Sequence, residues 1–287
     1  MAKAKIAIIG GSGTYNVDGG NEIEEMKIET PFGDPSDTIK IVEIEGKNVA
    51  FLPRHGRGHR LMPTELPVRA NMWALKSLGV EWIVTVSAVG SLQEEIKPRD
   101  FIIPSQLIDR TKSRVNSFFG DGIVGHVPFA DPFCLELNEI LEKSMKEIRD
   151  ITVHTDKLYV CMEGPLFSTI AESNLYRSWG ADIIGMTALP EAKLAREAGM
   201  SYSCIAMSTD YDCWHPEHDS VTLDMIIGHM TANTKNAQKI LPQIIKNIPE
   251  DKHSPYKDIA KTAIITDRKL IPAEVKKKLE LLFGEYF

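Results

Sequence analysis

The chain has 287 residues, 43% of them hydrophobic and 25% charged; this is the profile of a globular protein able to bury about three quarters of its unfolded surface. Its 33 basic and 40 acidic residues leave a net charge of -7, which argues against a general nucleic-acid surface and leaves room for a local anion site. The four cysteines, Cys134, Cys161, Cys204 and Cys213, lack metal-type spacing and read as reduced thiols of a cytoplasmic protein, while the apolar run in "MAKAKIAIIGGSG" is too short for an export signal or a membrane span.

In chain order, short apolar runs predict strands at "KIAIIG", "IKIVEI", "NVAFLP", "WIVTVSAVG", "DFIIPSQLID", "KLYVCME", "ADIIGM" and "YSCIAMST". Between them, apolar residues recurring every three or four positions predict helices at "PVRANMWALKSLG", "DPFCLELNEILEKSMKEIRD", "SNLYRSWG", "PEAKLAREAG" and "LDMIIGHMTANTKNAQKILPQIIKNI". The alternation implies an α/β fold with a buried, largely parallel central sheet flanked by helices. Residues 1–250 read as one domain; 251–287 read as a loop and an amphipathic helix, "PAEVKKKLELLFGEYF", appended to it. Ligands of such sheets collect where strands end.

Five constellations sit at such ends. "AIIGGSGTY" brings glycines and Ser12 to the end of a strand; it is neither a dinucleotide fingerprint nor a Walker loop, and a plain turn reads equally well. "LPRHGRGHR" crowds Arg54, His55, Arg57, His59 and Arg60 into seven positions, either a solvated basic loop or an anion site in which guanidinium forks and a tunable imidazole donor meet phosphate oxygens. "IVTVSAVGSL" ends in Ser87 and Ala88, again a tight turn or an anion site. "EGPLFST" and "GMTALPE" offer Phe167 as a stacking ring, with the hydroxyls of Ser168 and Thr187; Glu163 and Glu191 read alternatively as helix caps. In "MSTDYDCW", Asp210 and Asp212 are two apart, so an extended chain would turn both to one ligand. An acid-rich turn is the plainer reading, and a metal site is disfavoured because no HxxxH spacing accompanies the pair.

Taken together and in this order, "TPFGDPSD", "RHGRGH", "SAVGSLQEEIKPRDFIIPSQLIDRT", "EGPLFSTIAES", "WGADIIGMTALPEAKLAREAG" and "IAMSTDYDCW" resemble the trimeric class of purine nucleoside phosphorylases, and within it the members that act on 5'-methylthioadenosine. The resemblance implies a single-domain phosphorylase/hydrolase-like fold with a mixed central β-sheet. It implies phosphorolysis to adenine and 5-methylthioribose 1-phosphate, with no cofactor and no metal, phosphate being a co-substrate. By matching motif, Ser12, Arg54, His55, Ser87, Ala88 and Thr187 form the phosphate shell. Met186 lies along the ribose; Phe167 and Ser168 line the base pocket. Asp210 and Asp212, with Thr209 beside them, read the purine's N7 and 6-amino group, and Asp210 is the proton donor. Leu223 and Ile226 surround the methylthio group, Ser168 and Leu223 bear on specificity, and His126 reaches the 5' pocket of a neighbouring subunit in a homotrimer or homohexamer.

The chain departs from the family pattern at Leu166, where Arg is usual, and at Gly185, where the animal enzymes carry Asn; the CxC pair of some relatives is absent, so no stabilising disulfide is expected. Remaining alternatives are a phosphorylase preferring inosine, guanosine or methylthioinosine, a non-catalytic nucleotide-binding protein, and, more remotely, a metal-dependent hydrolase.

Overall fold

The structure, a computed structural model, describes residues 3–11, 20–216 and 223–287, without the side chains of 223–227, 230 and 231. Among the described residues nine strands form one mixed sheet: β1 (Ile6–Gly10), β2 (Asn21–Met26), β3 (Ile39–Ile44), β4 (Lys47–Pro53), β5 (Trp82–Ser91), β6 (Phe101–Arg110), β7 (Val153–Met162), β8 (Ile183–Gly185) and β9 (Ser201–Asp210). Their order is β2-β3-β4-β1-β5-β8-β7-β6-β9, and β9 also pairs with β5, so the last five strands close into a ring. The pairs β1–β4, β1–β5, β5–β9, β6–β7 and β7–β8 are parallel, whereas β2–β3, β3–β4, β5–β8 and β6–β9 are antiparallel.

The period-two pattern of the strands separates the core into layers. Ala7, Ile9, Ala50, Leu52 and Ile83 face one layer, closed by Met72 and Leu75 of α1 (Val68–Ser77), Leu194 of α4 (Ala188–Glu197) and Leu279 of a C-terminal helix, Ala273–Phe283. Ile6, Ile8, Val49, Phe51, Trp82 and Val84 face the other, against Leu137 and Leu141 of α2 (Leu135–Lys146) and Ile240 and Ile244 of α5 (Leu223–Asn247). Helix α3 (Ile170–Ser178) follows β7 and opens on a capping box in which Thr169 and Glu172 each accept the other's backbone N–H. The C-terminal segment adds α6 (Ala260–Ala263) and α7 (the Ala273–Phe283 helix) and packs in the first layer, where Ile264, Ile271, Val275 and Phe283 are buried and Phe283 stacks on Phe119 at 4.9 Å.

Strand β2, "NEIEEM", lies outside the apolar pattern because all but its last residue are exposed. No described helix is long and apolar enough to cross a membrane. The cysteines stand as free thiols, three of them buried.

At the end of α4, Glu197 is 8% exposed and accepts from the Ser117 hydroxyl at 2.8 Å and the Phe118 N–H at 2.6 Å. Burial outweighs these bonds and pushes its carboxyl up from 4.5 to about 7. The folded state therefore binds a proton that the unfolded chain has released between these values, and stability falls as pH rises through about 7. Thermal melts of wild type and Glu197→Gln from pH 5 to 8 should show the wild type losing on the order of 3 kcal/mol relative to the variant; parallel curves would contradict this.

Candidate active site

The acid pair sits where three strands meet. Gly90 of β5 pairs with Ile184 of β8 and, across a register shift, with Asp210 of β9. A Cβ at Gly90 would stand 2.9 Å from Asp210 Oδ1, 3.2 Å from Ile184 Cγ2 and 3.4 Å from Asp212 Cβ, so the closeness of the acids to β5 requires glycine. Gly90→Ala should displace both carboxylates while the fold persists and, since the resemblance implies that they read a purine, weaken adenine affinity about tenfold, measured by calorimetry beside a thermal melt. Unchanged affinity would refute that dependence.

Period two is not what brings the acids together. Strand β9 ends at Asp210, and Asp212 adopts φ +49° in the following turn. The turn is closed by Asp210 itself, whose Oδ1 accepts the Asp212 N–H at 2.8 Å. Both carboxyls are buried, with exposures of 8% and 7%. Burial raises the pKa of Asp210, and the Asp212 charge adds to it, against the hydrogen bonds from Thr209 and Asp212. Burial also raises Asp212, opposed by the Ser173 and Ser168 hydroxyls and by Cys213.

Thr209 Oγ1 lies 2.7 Å from Asp210 Oδ2 and 3.2 Å from the Val89 carbonyl. Its one hydrogen serves a single acceptor. Directed to Val89, it leaves Thr209 to accept from a protonated Asp210, so the site holds this acid in either state.

The anion-binding candidates gather on the adjoining part of β5. Ser87 and Thr187, a hundred residues apart, are 3.1 Å from each other through their hydroxyls and both buried, with Ala88 next to Ser87. Arg54, at the end of β4, is fully buried; Nε and Nη2 donate to the two Glu191 oxygens at 2.6 and 3.1 Å, and Nη1 donates to the Val86 carbonyl at 3.1 Å. Glu191 also accepts from the Tyr202 hydroxyl at 2.9 Å. It is thus the counter-ion of Arg54, which holds the guanidinium above its ordinary pKa.

His55 is buried and stacked on His59 at 4.2 Å. Burial, with the Arg54 charge beside it, lowers its pKa to about 4. The ring is neutral at pH 7, and since the Leu61 carbonyl 2.8 Å from Nδ1 only accepts, the ring hydrogen is on Nδ1. Nε2 is then an acceptor; the imidazole donor expected from the sequence is spent within the loop. Arg57 and Arg60 are turned to Asp37 and, for Arg57, Glu25, in surface ion pairs.

Met186 packs its side chain over Gly164, where a Cβ would fall 2.5 Å from Sδ and φ is +68°. Ser168 accepts the Cys213 thiol at its carbonyl, 3.3 Å away, beside Asp212. Phe167 is 49% exposed and Leu166 82% exposed. Gly185 is explained by its neighbour: a Cβ there would stand 2.0 Å from the Tyr159 hydroxyl, so the buried tyrosine takes the space that a larger side chain would need.

His126 is exposed on a loop tied by its N–H to the Ala263 carbonyl and is not brought to the acid pair. Ser12 and the side chains of Leu223 and Ile226 lie outside the described residues. Glu163 caps no helix; its carboxylate accepts the N–H groups of Lys112 and Ser113. No group of three or more metal-ligating side chains occurs among the described residues.

Gly90, Glu191 and Tyr159 are not marked as site residues by the sequence. The neighbouring "SAVG" and "GMTALPE" motifs are the only signal for Gly90 and Glu191; Tyr159 has none, since its role depends on a contact across the fold.

A profile of the phosphorylase superfamily matches residues 5–246. S-methyl-5'-thioadenosine phosphorylase of Thermosynechococcus vestitus is 54% identical over 99% of this chain and 99% of its own length. A methylthioadenosine phosphorylase from an antarctic soil metagenomic library superposes with a TM-score of 0.93 at 50% identity, covering 98% of this chain and 99% of the other. The Schistosoma mansoni methylthioadenosine phosphorylase in complex with adenine does so with a TM-score of 0.82 at 32% identity, covering 98% of both.

Proposed function

As a chain that belongs to the phosphorylase superfamily, this protein, we propose, carries out the phosphorolysis of S-methyl-5'-thioadenosine to adenine and 5-methylthioribose 1-phosphate. It is a pentosyltransferase with inorganic phosphate as co-substrate. The observation that carries the reading is the buried pair Asp210 and Asp212 at the strand junction, supported by relatives of that name at about half identity over the full length.

Cleaving the glycosidic bond builds positive charge on the ribosyl carbon and negative charge on the departing purine. Phosphate, held by Ser87, Ala88, Thr187 and Arg54 with Ser12, is nucleophile and counter-charge together. Three of the five Arg54 N–H groups serve Glu191 and Val86, leaving two for phosphate oxygens. Neutral His55 accepts a hydrogen bond at Nε2 from the hydroxyl of hydrogen phosphate, which keeps its proton.

Asp210, its pKa raised by burial and by Asp212, donates its proton toward N7, and Asp212 accepts from the 6-amino group. Phe167 stacks on the base, Ser168 and Thr209 complete its pocket, and Met186 lies along the ribose. Leu223 and Ile226 take the methylthio group, and His126 reaches the same pocket in a neighbouring subunit of a cytoplasmic homotrimer or homohexamer.

The test is product identification after incubation with methylthioadenosine, adenosine and inosine, each with and without phosphate. Phosphate-dependent adenine release, fastest from methylthioadenosine, is expected. Preferential hypoxanthine release would assign the site to 6-oxopurines, and binding without cleavage would remove the enzymatic reading.

A further inference from the structure

Arg114 lies in the segment after β6, and its side chain is 3% exposed. Its Nη1 donates to the carbonyls of Met186 and Leu189, each at 2.5 Å, and its Nη2 to those of Met162 and Glu163 at 3.3 and 2.6 Å. The first pair flanks Thr187 where the chain passes from β8 into the irregular first turn of α4; the second opens the loop after β7 that leads to Phe167 and Ser168. The Glu163 carboxylate, 3.8 Å from Nε, in turn holds the Lys112 and Ser113 N–H groups, so segment and loop anchor one another.

We propose that Arg114 is a positioning residue which holds the phosphate-side loop and the base-side loop in one register, so that phosphate and nucleoside meet at attack distance. Nothing in the sequence patterning assigns it this task.

The chemistry fits a guanidinium specifically. Four carbonyls around one buried cation give charge-assisted bonds with fork geometry, which a lysine ammonium with three donors at one point cannot reproduce. Each loop carries part of one substrate's site under the phosphorolysis reading, on which the kinetic part of this inference rests. Loosening the clamp leaves each half able to bind its own substrate but no longer fixes their separation, and misplacement of about 1 Å costs on the order of 100-fold in rate.

The experiment compares wild type, Arg114→Lys and Arg114→Met for kcat, for KM toward methylthioadenosine and toward phosphate, and for the folded fraction by circular dichroism. Per folded molecule, Arg114→Met should lose about 100-fold in kcat and Arg114→Lys about tenfold, with each KM within about threefold of wild type. If Arg114→Met does not fold, Arg114→Lys decides alone. A kcat within threefold of wild type in the folded variants, or a loss confined to KM, would overturn the proposal.

Hydrogen exchange supplies a readout independent of turnover. Amides of residues 162–169 and 186–190 should exchange faster together in the variants, whereas acceleration in one loop only would contradict coupling. A wild type that fails to release adenine would strike the proposed function and leave the exchange result to judge the clamp.

Discussion

Replacing Asp210 by asparagine is expected to lower methylthioadenosine turnover by about 10²–10⁴-fold, the usual worth of general acid catalysis. The amide keeps the shape and an acceptor for the Asp212 N–H that closes the turn at 2.8 Å, so the fold should survive. What is lost is a proton that can be transferred. The folded pKa of Asp210 is raised, first by burial and then by the Asp212 charge; its protonated form therefore persists to higher pH than for an exposed carboxyl and disappears as pH rises through that value. Wild-type kcat/KM should fall on this alkaline limb, and Asp210→Asn should lack the limb as well as the rate. Asp212→Asn removes a neighbouring negative charge, so it should move the limb of Asp210 to lower pH. Turnover of Asp210→Asn within about threefold of wild type would exclude the acid role.

The largest loss of stability should follow Glu191→Gln. Glu191 answers the buried Arg54 with two hydrogen bonds and the Tyr202 hydroxyl with a third, and its side chain is 1% exposed. Removing the carboxylate charge leaves a guanidinium in the core without a counter-ion, which costs about 3–5 kcal/mol. Urea denaturation should show this as a lower midpoint with an unchanged slope. Arg54→Met together with Glu191→Gln should be less destabilised than the two single changes summed, because neither charge then remains unpaired. Strict additivity would mean that the pair is not the source of the loss.

How far the sequence discloses this molecule depends on the range of the interaction concerned. Strands β1, β3, β4, β5, β6, β7, β8 and β9 are legible because each is an apolar run, and their alternation into two core layers is local geometry. The glutamate-rich β2 has no such signal, since it forms by pairing with β3 at an exposed place. The acids of "TDYDC" are conspicuous as residue types, yet their approach comes from a turn with Asp212 at positive φ, not from strand periodicity. Arg54 and His55 are conspicuous as a basic cluster, but burial and the Leu61 carbonyl make His55 an acceptor rather than a donor. Arg114 and Tyr159 carry no local pattern: one collects carbonyls from two loops, and the other fills the space over a glycine 26 positions away.

Ring closure by β5 and β9 leaves the sheet with β2 as its terminal strand among the described residues. An unpaired strand border is a template on which another chain can grow, and aggregation proceeds fastest when that border is flat and apolar. Here the border bears Glu22, Glu24 and Glu25, engaged by Lys40, Lys3 and Arg57. A second molecule would have to strip those charges of water and partners before pairing. Resistance to edge-to-edge pairing is thus written into the strand that contributes least to the core, and replacing its glutamates with valines should turn a harmless rim into a nucleus for self-association.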